Sequence, residues 1–189
     1  MGIGSLNNKD VFLDRDGVIN RAVVRNRKPY PPDTLQELEI FPDVPGALSL
    51  LKERGFLLII VTNQPDVGRG TQKRETIEKM HSFLKNQLPL DDIYVCHGVT
   101  EALQLIFASF LQPGDKVLVP GPHYPPYMAY PQLFGGQAVE YKLDEDNKWA
   151  IDLIDLESKM DNNVRLIVII NPNNPTGGVV DKNQLKAVI

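Results

Sequence analysis

Two stretches of this chain have the residue types and spacing of a polar reaction centre. Asp14 and Asp16 stand one residue apart at the end of the apolar run Val11-Phe12-Leu13. Alternation along an extended backbone sends residues i and i+2 to the same side, so both carboxylates can act on one bound molecule. One can attack an electrophilic phosphorus as a nucleophile while the other shuttles the leaving-group proton. With phosphate oxygens and water they can also hold Mg2+, which takes octahedral oxygen ligands. A second apolar run ends in Thr62-Asn63, whose hydroxyl and amides can hold a phosphoryl oxygen.

Further along, Gly98-Val99-Thr100 opens a helical pattern, and free N–H groups at such a start favour anions. The run KVLVPGPHYPPY places Tyr124 just after a strand pattern, and RLIVIINPNNPTGG runs a strand into a turn built from Asn and Pro. In structural terms alone, Tyr124 reads equally as a core or turn aromatic, and Asn174 as a turn former.

The elements that must position these residues alternate. Strands are expected at 10–14, 56–62, 92–96, 116–120, 137–142 and 165–170, mostly apolar as in strands covered on both faces. Helices are expected at 44–54, 72–88, 100–111, 124–134, 151–160 and 181–188. Helix 72–88 aligns Ile77, Met80, Leu84 and Leu88 on one stripe, with Phe83 beside it. Gly55 closes the first helix, and Pro113-Gly114-Asp115 closes the third with a turn. Residues 21–40 read as a long loop inserted after the first strand, and residues 120–131 as a rigid turn into a short helix. The expected fold is a doubly wound, Rossmann-like α/β arrangement with a mainly parallel sheet and helices on both faces. One continuous sheet of about six strands is favoured over two packed halves.

Composition bounds the rest. At 189 residues the chain fits one large or two small domains. No run approaches the about 18 apolar residues of a membrane span, and the start MGIGSLNNKD lacks a secretory pattern. The single cysteine, Cys96, excludes an internal disulfide and a Cys-rich zinc site and makes a cytoplasmic setting the default. Residues 1–97 are charge-balanced and residues 98–189 carry the net −4, with no basic stripe for nucleic acid.

The runs FLDRDGVIN, VTNQPDVGRG and DDIYVC resemble the haloacid dehalogenase superfamily, in particular its histidinol-phosphate and heptose-bisphosphate phosphatase branch, over residues 8–97. That resemblance implies Asp14 as nucleophile, Asp16 as acid/base, both as Mg2+ ligands, and Thr62 and Asn63 as phosphate holders. Arg69 would either contact substrate or be a surface residue. The lysine and second metal-binding carboxylate of that family do not follow residue 97, and Cys96-His97-Gly98 stops at the first ligand of the branch's zinc loop.

Residues 98–189 resemble a fragment of the fold-type I, class I/II aminotransferases that use pyridoxal phosphate (PLP), through Gly98–Thr100, Tyr124 and Asn171–Gly177. This resemblance implies PLP phosphate held by backbone at Gly98, Val99 and Thr100, Tyr124 stacked on the pyridine ring, and Asn174 bonded to the ring hydroxyl. The chain ends at Ile189, before the family's Schiff-base lysine, so transamination by this chain alone is not expected.

The two resemblances meet between Cys96 and Gly98 with no linker, giving domains 1–97 and 98–189, possibly merged into one sheet. The expectation is a chimera-like chain: a phosphatase-like hydrolase, weak or inactive, acting on a small phosphorylated molecule and joined to a truncated aminotransferase segment. A non-catalytic α/β scaffold and a plain aminotransferase fragment are the alternatives. Self-association is expected from unfinished strand edges.

Overall fold

The computed structural model describes residues 9–188; residues 1–8 of the N-terminal stretch read above for targeting signals lie outside them. The chain divides after Ala102 into two compact units. In the first, β1 (Lys9–Leu13) leads through the hairpin β2 (Val23–Arg25) and β3 (Lys28–Tyr30) to α1 (Val44–Glu53) and β4 (Phe56–Asn63). The short α2 (Pro65–Gly68), then α3 (Arg74–Gln87) and β5 (Asp92–Cys96), follow. Helix α4 (Val99–Phe110) runs through the division. The second unit continues with β6 (Lys116–Gly121), α5 (Pro126–Leu133), β7 (Gln137–Asp144), β8 (Ala150–Ile151), α6 (Leu153–Ser158), β9 (Val164–Ile167) and α7 (Lys182–Val188).

The first unit has a three-stranded parallel sheet ordered β1-β4-β5. Central β4 buries Leu58 and Ile60 completely, and the stripe of α3 supplies Ile77, Met80 and Leu84 to the same core. Helix α1 ends as its glycine dictates. Gly55 adopts φ +83°, which costs a glycine nothing, and its N–H returns to the Lys52 carbonyl at 2.9 Å.

The second unit has a four-stranded sheet ordered β8-β7-β6-β9, parallel except for the antiparallel β7–β8 pair. Its central strand is covered on both faces. Val117 and Val119 pack with Leu103, Phe107 and Leu111 of the α4 segment, and Leu118 between them packs with Tyr141, Ile151, Leu156 and Val180. Each unit is therefore an α/β structure on a mainly parallel sheet, and in the second unit helices cover both faces. The turn after α4 forms as its residues require, with Gly114 at φ +96° and the Asp115 carboxylate accepting the Gln112 N–H at 2.9 Å.

Three expectations are corrected. The single six-stranded sheet does not form: the six expected strands divide three and three between two separate sheets. A strand joins a sheet only if a neighbour continues its hydrogen-bond ladder, and apolar alternation cannot specify that neighbour. Residues 21–40 are not a loop throughout. They hold the β2–β3 hairpin, whose turn residues Asn26 and Arg27 sit at φ 52° and 62°. That pair of left-handed residues is what a two-residue hairpin turn demands; it is hard to read when the second residue is Arg rather than Gly. Helix α5 begins only at Pro126, because each Pro fixes the backbone ahead of it and donates no N–H.

Leu118→Ala should lower unfolding stability by about 2–5 kcal/mol, the range for a truncated core leucine. Val24→Ala, on the exposed hairpin, should stay within about 0.5 kcal/mol. Urea midpoints of the two variants measured side by side would check the contrast.

Candidate functional site

Strand β1 stops at Leu13, so Asp14, Arg15 and Asp16 lie past it, where strand alternation no longer applies. The intervening Arg15 turns inward and is fully buried. Its guanidinium holds Asp16 from three sides: Nη2 lies 2.9 Å from both carboxylate oxygens, and Nε lies 3.2 Å from Oδ1. Asn20 Nδ2 donates to Asp16 Oδ1 at 3.1 Å and Gln64 Nε2 to Oδ2 at 3.1 Å. Gln64 Nε2 also donates to the hydroxyl of buried Thr62 at 3.0 Å. Thus Asp16 and Thr62 do meet, through Gln64, while Asn63 is exposed at the end of β4. Asp14 stays at the surface and accepts the Arg15 N–H at 2.7 Å. Desolvation by the surrounding protein holds its carboxyl above the ordinary range; that N–H opposes the shift and Asp16 adds to it.

Arg15, Asn20, Gln64 and His81 are the residues that sequence reading missed here. The first three lie within the motif runs and could have been flagged as polar neighbours. His81, on α3, has no spacing that ties it to residue 15, yet its Nε2 is 3.2 Å from Arg15 Nη1. Burial first, and the Arg15 cation second, push the His81 imidazole down to about 4. It is therefore neutral near pH 7, accepting from Arg15 through Nε2 with its proton on Nδ1. Arg69 pairs loosely with Asp66 at 3.4 Å and is 68% exposed, as a surface arginine would be.

At the start of α4, Gly98 adopts φ +92° where the chain leaves β5. An added Cβ would make only an ordinary contact with Asn63 Nδ2 at 3.9 Å, so the backbone angle, not space, calls for glycine. Val99 is exposed and Thr100 half-buried. The Glu101 carboxylate folds back to accept the His97 N–H at 2.5 Å, placing a negative charge in the first helical turn.

In the second unit, Tyr124 follows β6 and Asn174 lies in the loop after β9. Tyr124 is half-exposed and meets Tyr127 edge-on, ring centroids 6.2 Å apart. The loop 171–178 is held by its other polar residues. Asn171 Oδ1 accepts the Val180 N–H at 3.1 Å, and buried Asn173 donates through Nδ2 to the Pro122 carbonyl at 3.1 Å and to Thr176 Oγ1 at 2.9 Å. Gly178 is obligatory against Trp149, whose Cβ would lie 2.6 Å from an added Cβ. Asn174 is exposed, and neither its amide nor the Tyr124 hydroxyl has a hydrogen-bond partner among the described residues. A fixed loop with a free amide, joined by Asn173 to the segment that carries an aromatic ring with a free hydroxyl, is a donor set whose chemistry fits the ring of PLP.

The sequence model of the family described as aminotransferase class I and II matches residues 64–189. The chain belongs to that family. A glutamate-pyruvate aminotransferase of Haemophilus influenzae is 42% identical over 100 residues, which is 53% of this chain and 25% of that protein. An alanine aminotransferase of Mycobacterium tuberculosis is 44% identical over 90 residues, 48% of this chain and 21% of that protein. Among solved structures, an alanine aminotransferase of Pyrococcus furiosus is 48% identical, covering 48% of this chain and 23% of that one with a TM-score of 0.47. The chain thus spans about a quarter or less of the length of these relatives.

These findings correct the expectation of a magnesium-dependent phosphatase of the haloacid dehalogenase type joined to an aminotransferase piece. The family match begins at residue 64 and runs straight through Cys96–Gly98, where the two halves of a chimera were expected to meet. The relatives are aminotransferases, not hydrolases. Among the described residues no group of three or more His, Cys, Asp or Glu could hold a metal ion, and Asp16 is engaged by a guanidinium.

Asp16→Ala would leave the Arg15 charge buried without its carboxylate, and should cost about 3–5 kcal/mol of stability, read as a lower urea midpoint. Acid should act on the same cluster through His81. Unfolded, this side chain takes up its proton around 6.5; folded, only near pH 4. The unfolded chain binds the extra proton in that window, so the contribution is full above pH 6.5 and is lost progressively as pH falls towards 4. Unfolding midpoints measured from neutral pH down through this window should fall more steeply in the native protein than in His81→Gln.

Proposed function

We propose that this chain is the part of a PLP-dependent aminotransferase that holds the cofactor ring, and that the complete enzyme moves an amino group between alanine and a 2-oxo acid. The observation that carries the reading is the pair of free side chains, Tyr124 and Asn174, on two loops of the second unit that are tied together. The activities of the alanine and glutamate-pyruvate aminotransferase relatives support the substrate class.

When bound, PLP supplies an electron sink for bond changes at the amino-acid Cα. The chain's own residues bind and orient. Tyr124 would lay its ring on the pyridine face, where stacked aromatic pairs are favourable. Asn174 would donate its amide N–H to the ring hydroxyl oxygen and so fix the ring's rotation. Asn171 and Asn173 keep the loop backbone in place, so little ordering remains to be done on binding. Within the first unit taken by itself, the N–H groups at Gly98, Val99 and Thr100 would favour an anion such as a phosphate, with Glu101 opposing it.

The same reading places the protein in the cytoplasm and has it bind a small phosphorylated molecule rather than nucleic acid or membrane. Among the described residues no helix is long and apolar enough to cross a membrane. Self-association belongs to the reading as well. Edge strand β5 exposes Tyr94 by 54% and Val95 by 56%, and open apolar edges favour pairing.

The single tryptophan, Trp149, packs against the 171–178 loop and reports on it. Titrated PLP should quench its fluorescence saturably. Asn174→Ala should raise the Kd about tenfold, the loss of roughly one hydrogen bond. A signal that stays linear to millimolar PLP would rule out the cofactor reading.

A further inference from the structure

Asn173 is buried more deeply than either residue assigned to the ring, with 5% of its surface exposed. Its amide joins two loops that are far apart in the chain. Nδ2 donates to the carbonyl of Pro122, two residues before Tyr124, and to Thr176 Oγ1, two residues after Asn174. The residue cannot swing, because its own backbone is closed at both ends. Its N–H donates to the Gly178 carbonyl at 2.8 Å, and its carbonyl accepts the Gly177 N–H at 2.7 Å. Thr176 Oγ1 also accepts the Gly178 N–H at 3.1 Å, so the acceptor is held as firmly as the donor.

We infer that Asn173 is a positioning residue whose amide locks the loop carrying Tyr124 to the loop carrying Asn174, setting the separation of the two side chains before a ligand arrives. The role of those two side chains rests on the cofactor reading above; the lock itself does not.

Two features favour this over plain loop stability. The Asn173 Oδ1 is buried with no hydrogen-bond partner among the described residues. An orphaned buried acceptor is a cost, and such groups in folded proteins call for an explanation beyond packing. Here the side chain is kept for its two N–H donors. The donors also reach across 51 residues of sequence to a carbonyl that belongs to the other loop, whereas an Asn serving only its own turn would bond within a few residues. Asp would present oxygens to the Pro122 carbonyl and Thr176 Oγ1 in place of N–H groups, and Leu would present nothing, so neither substitutes.

The test uses the full chain without cofactor, then with PLP. Asn173→Ala should speed hydrogen exchange of the His123 and Tyr124 amides and of residues 174–178 by about tenfold, with β6 and β7 protected as in the native protein. It should also raise the PLP Kd by about tenfold. Thr176→Val removes one acceptor and should give a smaller change, about threefold, in the same amides; it carries the test if Asn173→Ala fails to fold. Exchange that rises only in 174–178, with Tyr124 unchanged in whichever variant folds, overturns the lock. Faster exchange in both loops with an unchanged Kd overturns its role in positioning the site. If the native chain shows no saturable PLP binding, the cofactor reading falls, and the exchange at Tyr124 still decides the lock on its own.

Discussion

A central parallel strand has to be covered on both faces, because its side chains point alternately to each and the crossovers that join parallel strands lie over them. Strands β4 and β6 carry this constraint. Leu58 and Ile60 disappear into one core, and Val117, Leu118 and Val119 into two. The consequence for function is geometric. Parallel strands all end at the same edge of their sheet, and ligand sites in such sheets form there. In the first unit Asp14 and Gly98 follow β1 and β5 and Asn63 ends β4; in the second, Tyr124 follows β6 and Asn174 follows β9.

Loops at those edges are irregular and partly buried, so their polar groups must find partners by some route other than a ladder. In each unit a buried polar side chain gathers several of these partners. Arg15 collects Asp16 and His81 from β1's exit and from α3. Asn173 collects Pro122 and Thr176. In both cases the buried residue decides what its exposed neighbours can do. Arg15 commits Asp16 to an ion pair, whereas Asn173 leaves Asn174 with a free amide on a rigid loop. The first arrangement ties its carboxylate to a buried cation; the second leaves an exposed amide on a hydrogen-bonded loop.

That difference explains why the Asp-x-Asp run misled. Two carboxylates one residue apart after an apolar strand have the right types for phosphoryl chemistry, and on an extended backbone they would share a side. The strand ends one residue too soon, and the residue between them is the one that turns into the core. The aminotransferase match, beginning at residue 64, then extends well into the stretch that those carboxylates seemed to define.

Much of this protein is determined locally. The alternation of apolar runs and amphipathic stripes determined the α/β class, six of the strands and most of the helices, since the stripe of α3 and the run of β6 each satisfy one periodicity only. The Asn-Pro-rich turn was likewise legible, because few residue types accept its backbone. What tertiary structure alone decided was partnership. That β1 lies beside β4, that Arg15 meets His81 and that Asn173 reaches Pro122 all depend on contacts between segments 47 to 66 residues apart. Side-chain type and spacing carry no information about distance in space until the core has folded and brought those segments together.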